Sequence, residues 1–97
     1  MEQDEFFIFA ELKRERFEDI LDRLMAYYAG IRFGRQDDDW IWIHADDGRV
    51  EIDSFSSEQL EVKGGRGQTG TIKRILGVME KDWVLKRFDP PKEDLTR

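Results

Sequence analysis

Residues 40–55, WIWIHADDGRVEIDSF, contain two runs of alternating side chains that flank a single turn. Alternation with a period of two is typical of β-strands, and Asp47-Gly48 between the runs is a strong signal for a type I′ hairpin turn. Such a turn fixes the register of the two strands. The predicted pairs are Asp46 with Arg49, Ala45 with Val50, His44 with Glu51, Ile43 with Ile52, Trp42 with Asp53 and Trp40 with Phe55.

The predicted hairpin has two unlike faces. The first face is apolar, and we expect it to lie in the core. Its members are Ile41, Ile43, Ala45, Val50 and Ile52. The second face is too aromatic for an ordinary surface and too charged for an ordinary core, and we expect it to bind a partner. Its members are Trp40, Trp42, His44, Glu51, Asp53 and Phe55.

Outside the hairpin, the sequence predicts four more strands and two helices. The helices are indicated by apolar stripes with a period near 3.6, and Gly30 stands where a glycine would end the first of them. The predicted strands are Phe6–Ala10, Ile31–Arg35, Gln59–Lys63 and Trp83–Phe88, and the predicted helices are Lys13–Ala29 and Thr71–Lys81.

These elements predict a fold of the α+β class. Two helices can cover one face of six strands, so we expect a single two-layer domain with a mostly antiparallel sheet in the order βαββββαβ. Because Asp89-Pro90-Pro91 ends the last predicted strand, we expect the domain to span residues 1–89. A disordered polar tail is expected over residues 90–97.

Composition narrows the classes of function. The chain has 97 residues, one histidine and no cysteine, which excludes a disulfide scaffold, a thiolate zinc site and a cysteine nucleophile. Its 22 acidic and 16 basic residues give a net charge of −6, which disfavours general nucleic-acid binding. No apolar run reaches the length of a membrane span, and the acidic start differs from a secretory signal. We expect a cytoplasmic protein without a metal or a cofactor.

The second face of the hairpin is the first candidate for function. No predicted element remains to cover it, and the same alternation places more charged residues around the aromatic rings. This surrounding set comprises Arg32, His44, Glu51, Asp53, Glu61 and Lys63. Aromatic residues with charges at the rim are typical of protein interfaces. We therefore expect a small non-enzymatic protein that binds a protein partner, or a second copy of itself as a homodimer, through this face.

Two other uses of this face stay open at the level of sequence. The stems of lysine and arginine side chains, together with the tail, could cover the tryptophans. Alternatively, the rings could stack on a small ligand or on single-stranded nucleic acid. For nucleic acid, Glu51, Asp53 and Glu61 supply the wrong charge.

A glycine-rich loop over residues 64–70 is the second candidate. It contains the pattern G-x-G-x-x-G between a predicted strand and a predicted helix, which is the setting of a dinucleotide-binding loop. A helix N-terminus also favours a bound anion. The candidate anion-binding residues are Gly65, Arg66, Gly67, Thr69, Gly70 and Thr71. The alternative function is therefore binding of a small phosphate- or nucleotide-type anion, and the simpler interpretation is a connection with Thr69 or Thr71 as N-cap.

Two polar features receive simpler interpretations. His44 opposite Glu51 would suit a general base held by a carboxylate in a hydrolase-like enzyme. Without a nucleophile or a metal set beside it, we expect a cross-strand polar pair and predict no catalytic residue. The acidic turns at residues 37–39 and 46–47 lie about 20 Å apart at opposite ends of one strand, so we expect both to be solvated.

Overall fold

A computed structural model describes residues 6–55 and 57–94 of the chain. In this part of the chain, six strands form one antiparallel sheet with the spatial order β2-β3-β4-β5-β1-β6, together with two helices. The strands are β1 (Phe6–Leu12), β2 (Ile31–Gly34), β3 (Trp40–Ala45), β4 (Gly48–Asp53), β5 (Leu60–Gly65) and β6 (Lys86–Glu93), and the helices are α1 (Phe17–Tyr27) and α2 (Thr69–Met79). The predicted α+β class and the chain order βαββββαβ are confirmed.

The core lies between the sheet and the two helices, which share one face of the sheet. Ile41, Val50 and Ile52 of the hairpin are fully buried there. The helices contribute buried side chains at helical spacing. These are Phe17, Ile20, Leu21 and Leu24 from α1, and Ile72, Ile75, Leu76 and Met79 from α2. Burial of each aliphatic side chain of this size contributes about 1.5–3 kcal/mol, so the apolar face of the hairpin anchors it to the rest of the domain.

The β3–β4 hairpin has its predicted faces, but its predicted register is wrong. The turn consists of Asp46 and Asp47, and Ala45 pairs with Gly48. A type I′ turn requires positive φ at both central residues, whereas here the positive φ, 128°, belongs to Gly48. Each β3 residue therefore faces a partner two positions earlier than predicted. Because side chains alternate with a period of two, a displacement of two leaves both faces unchanged.

Both helices differ from their predicted bounds at each end. A 3-10 turn over Arg14–Arg16 precedes α1, and extended backbone at Tyr28 ends this helix two residues before Gly30. A second 3-10 turn precedes α2, whose N-cap is Gln68 rather than Thr69 or Thr71. The Gln68 side chain accepts a hydrogen bond of 2.7 Å from the backbone N–H of Gly65. That bond closes the 3-10 turn and moves the start of the helix towards the N-terminus.

The last strand also lies outside its predicted bounds. β6 spans Lys86–Glu93, so it contains Pro90 and Pro91 and overlaps the segment predicted as a tail. Proline lacks a backbone N–H and is tolerated at the edge of a sheet, and β6 is an edge strand. It pairs with β1 near both ends, with an irregular stretch between. Residues 95–97 of the predicted tail, like residues 1–5 and 56, lie outside the described part of the chain.

Candidate functional site on the tryptophan face

Two tryptophans lie side by side on the sheet face away from the helices. The ring centroids of Trp40 and Trp42 are 4.7 Å apart and the ring planes are tilted by 45°, an arrangement that aromatic pairs favour. The Arg49 guanidinium lies 3.8 Å from the centroid of the Trp42 ring, where the ring face attracts a cation. All three side chains are half-buried. We call Trp40, Trp42 and Arg49 the tryptophan patch.

The position of Trp40 depends on a glycine in the neighbouring strand. Gly34 pairs with Trp40 across β2 and β3, and a Cβ atom at Gly34 would lie 2.5 Å from the indole nitrogen. The absence of a side chain at Gly34 therefore lets the indole lie across β2. Arg32 precedes it on the same face, opposite Trp42, and is exposed. The patch thus extends to the edge of the sheet.

A buried group of charges occupies the centre of the same face. Lys63 of β5 is 2% exposed, and its ammonium nitrogen lies 2.7 Å from Asp53, 3.6 Å from Asp94 and 3.8 Å from Glu61. Buried charges destabilise a fold unless they are paired. The sequence placed Glu61 and Lys63 correctly on this face, but at an exposed rim. The structure buries them in a group in which three carboxyl groups share the Lys63 ammonium.

Asp53 is the most deeply buried of these carboxyl groups. One of its oxygens accepts hydrogen bonds from Lys63 and from the backbone N–H of Phe55, the latter at 3.2 Å. Its other oxygen has no hydrogen-bond donor among the described residues, and the indole nitrogen of Trp42 likewise has no acceptor. Burial raises the pKa of Asp53, and the hydrogen bond and charge of Lys63 only partly oppose that effect. Burial of this carboxyl group therefore destabilises the folded state, and other interactions of the fold offset that cost.

The structure brings together only part of the predicted partner-binding face. Trp40 and Trp42 are adjacent and partly accessible, whereas Glu51 and Asp53 are 3% and 0% exposed. Glu51 instead holds Arg49 through an ion pair of 2.7 Å. Phe55 is exposed, but it follows the end of β4. The predicted pair of Trp40 with Phe55 is wrong, since Trp40 faces Asp53.

His44 does not face Glu51, so that predicted pair is also wrong. The displaced register places Arg49 opposite His44. The backbone N–H of His44 donates a hydrogen bond of 2.9 Å to the Gly30 carbonyl oxygen, and the ring nitrogen Nδ1 lies 3.3 Å from the same oxygen. A cation opposite the ring replaces the carboxylate that motivated the general-base hypothesis.

At the glycine-rich loop, a carboxylate of the chain itself lies beside the first turn of α2. The Thr71 hydroxyl donates a hydrogen bond of 2.7 Å to Asp47, and the Gln68 amide donates a longer one of 3.4 Å to the same side chain. The hydrogen bond from Thr71 lowers the pKa of Asp47. Arg66 is exposed and lies 5.2 Å from the centroid of the Phe7 ring. The predicted site for an external anion therefore lies next to the Asp47 carboxylate of the chain itself.

One acidic turn is structural rather than solvated. Asp39 is 2% exposed, and its carboxylate accepts hydrogen bonds of 3.0 Å from Arg14 and from Arg35. Burial tends to raise the pKa of Asp39, but the hydrogen bonds from the two arginines outweigh it and hold the pKa below its usual value. Sequence reasoning missed this cluster because nothing in the run of three aspartates distinguishes Asp39 from its neighbours.

Other features of the described residues give no competing site. No group of three His, Asp or Glu side chains in residues 6–55 and 57–94 could hold a metal ion. No helix in these residues is long and apolar enough to cross a membrane. A pocket of about 280 Å³ beside Leu12 and Val84, and another of about 360 Å³ beside Arg23 and Trp83, lie away from the tryptophan patch.

The tryptophan patch has the composition of a contact surface. Tryptophan and arginine are the residue types that dominate binding energy at protein interfaces. The one histidine of the chain, His44, pairs with Arg49 and not with the expected carboxylate. Comparison of this chain with protein-family models, with curated proteins and with solved structures finds no match.

Proposed function

We propose that this protein acts by binding another protein chain, with the tryptophan patch at the centre of the contact. The observation that carries the proposal is the pair of half-buried indole rings on a sheet face that neither described helix covers. Indole rings offer a large contact area with few rotatable bonds, which lowers the entropy lost on binding. The proposed role involves no catalytic step, and the proposed location of the protein is the cytoplasm.

The buried charges support this use of the patch. Arg49 is held between the Trp42 ring and the Glu51 carboxylate, so its side chain is ordered before a partner arrives. The Lys63 ion pairs hold the neighbouring strands in register beneath the same face. A surface that is already ordered binds with a smaller loss of conformational entropy.

Anion binding at the Gly65–Gly70 loop stays a prediction with less support. An external phosphate would have to compete with the Asp47 carboxylate, which already accepts a hydrogen bond from Thr71. The chain also carries a net charge of −6, which repels anions at long range.

The test is affinity measurement against protein partners captured from a cell extract and identified by mass spectrometry. For a partner bound by wild type, we expect Trp40→Ala and Trp42→Ala each to weaken binding by about 10- to 100-fold, as at an interface hot spot. Val84→Ala is the matched control, because Val84 is 96% exposed and precedes β6, the edge strand opposite to β2. Circular dichroism confirms that each variant is folded. Equal affinity of all four proteins for every captured partner would refute the proposal.

A further inference from the structure

The two edges of the sheet are unlike. β6 forms one edge and carries Pro90 and Pro91 among exposed charged residues, which are the features that prevent another chain from pairing with an edge. β2 forms the other edge and reads Ile-Arg-Phe-Gly, with no proline and one charge. An edge without such protection is a template for strand addition.

The outward-facing backbone groups of β2 follow from its pairing with β3. The His44 N–H donates to the Gly30 carbonyl oxygen, so Gly30, Arg32 and Gly34 occupy the hydrogen-bonded positions of this ladder. Ile31 and Phe33 then direct their N–H and C=O groups away from β3. No strand among the described residues pairs with that side of β2.

The side chains at this edge are also available. Phe33 is 49% exposed, which is unusual for a phenylalanine on the face of a sheet that packs against helices. Arg32 is exposed on the opposite face, beside the tryptophan patch. An added strand would therefore meet an aromatic ring on one face and a cation next to two indoles on the other.

We propose that two copies of this chain pair β2 with β2 in antiparallel orientation and form one continuous sheet of twelve strands. This inference deepens the proposed function, on which it rests, by naming a second copy as a partner. In the proposed register, Phe33 lies opposite the partner's Phe33 and Arg32 lies opposite the partner's Gly34. Aromatic pairs directly across a sheet stabilise the pairing.

The side chains of β2 and β3 favour this register and favour a second copy of the chain as the added strand. A register centred on Arg32 would place two like charges directly opposite each other, which is destabilising, and one centred on Ile31 would place Phe33 opposite Ala29, outside β2. In the proposed register, Arg32 lies between its own Trp42 and the partner's Trp40, because Trp40 covers Gly34. A cation between two indoles is favourable, and two-fold symmetry makes the contact twice.

Cysteine cross-linking tests the register directly, since the natural chain contains no cysteine. Residues in a hydrogen-bonded antiparallel pair have Cα atoms about 5.5 Å apart, which suits a disulfide. We expect Phe33→Cys to give a covalent dimer under mild oxidation, at least about tenfold faster than Arg32→Cys or Val84→Cys. Val84→Cys measures random collision, because Val84 is 96% exposed and remote from β2.

Light scattering tests the assembly itself. We expect wild type and Val84→Glu to show twice the chain mass of 11.6 kDa, and Phe33→Glu to be a folded monomer by circular dichroism. A wild type that is monomeric at about 100 µM would overturn the dimer, and so would a Phe33→Cys variant that is dimeric by light scattering yet cross-links no faster than Val84→Cys. Neither result refutes the proposed function, because the affinity of the tryptophan variants for captured partners tests that function separately.

Discussion

The Asp47 carboxylate accepts a hydrogen bond of 2.7 Å from the Thr71 hydroxyl, which fastens the tip of the β3–β4 hairpin to the first turn of α2. At the other end of the hairpin, the backbone N–H of Asp39 donates to the Ser54 hydroxyl, and the N–H of Ser54 donates to the Asp39 carbonyl oxygen. The strand that carries Trp40 and Trp42 is therefore held at both ends.

The first prediction concerns this contact and the anion site. Asp47→Ala removes the internal carboxylate beside Thr71, so we expect inorganic phosphate to bind this variant measurably and the wild type too weakly to detect. Backbone amide shifts of Gly67 and Thr69 on titration with phosphate provide the measurement. The double variant Asp47→Ala, Arg66→Glu should lose the binding again. Saturable binding of phosphate to the wild type would show that Asp47 does not occupy the anion position.

The second prediction concerns Asp39. Asp39→Asn weakens the charge-assisted hydrogen bonds from Arg14 and Arg35, and we expect the free energy of unfolding to fall by about 2 kcal/mol at pH 7. The loss is moderate because both arginines are partly exposed and can be hydrated. Asp38→Asn is the matched control and should change the stability by less than about 0.5 kcal/mol. Urea denaturation gives both values.

The pH dependence of this effect has a definite sign. The folded state holds the pKa of Asp39 below its usual value, while an unfolded aspartate titrates near about 3.9. The unfolded state therefore binds more protons in this range, and the stability from Asp39 is present above about pH 3.9 and lost as the pH falls through the folded pKa. We expect the difference between wild type and Asp39→Asn to shrink on acidification. A constant difference down to about pH 2 would contradict this account.

The third prediction concerns Asp53, for which the stability changes with pH in the opposite direction to that for Asp39. Burial raises the pKa of Asp53 in the folded state, so between about 3.9 and that raised pKa the folded state binds more protons than the unfolded state. The contribution of this group to stability therefore falls as the pH rises through that window. Asp53→Asn cannot ionise, so we expect a smaller fall in stability with rising pH than in wild type. Denaturant midpoints measured from pH 4 to pH 8 give the two slopes, and equal slopes would refute the assignment.

The faces of the hairpin could be predicted from sequence, whereas its register could not. Alternation along Trp40–Ala45 assigns each side chain to a face regardless of the turn, because a shift of two residues preserves it. The register depends on which two residues of Asp46, Asp47 and Gly48 form the turn. Both placements satisfy the local preference for aspartate and glycine, so local sequence does not choose between them.

The burial of the charged residues and the identity of the edge strands could be known only from the whole sheet. Alternation placed Glu61 and Lys63 on the second face, but their burial follows from the neighbouring strand that brings Asp53 within 2.7 Å of Lys63. Similarly, Pro90 ends a predicted strand unless that strand is at an edge. The strand order β2-β3-β4-β5-β1-β6 settles which strands are edges, and the candidate dimer surface at β2 could not be proposed without it.

The fourth prediction contrasts two glycines of unlike surroundings. Gly64 of β5 faces α2, and a Cβ atom there would collide with the Ile72 side chain, which is fully buried. We expect Gly64→Ala to lower the free energy of unfolding by about 1–3 kcal/mol, as overpacking of a core does. Gly77 lies on the exposed side of α2, and apart from its own helix no atom lies within 4 Å of its Cβ position. Gly77→Ala should therefore raise the stability by about 0.5–1 kcal/mol through helix propensity. Thermal and urea denaturation compare the two variants with wild type. A rise in the stability of Gly64→Ala would contradict the close packing of α2 against β5 at Gly64, and a fall in that of Gly77→Ala would contradict the open surroundings of Gly77.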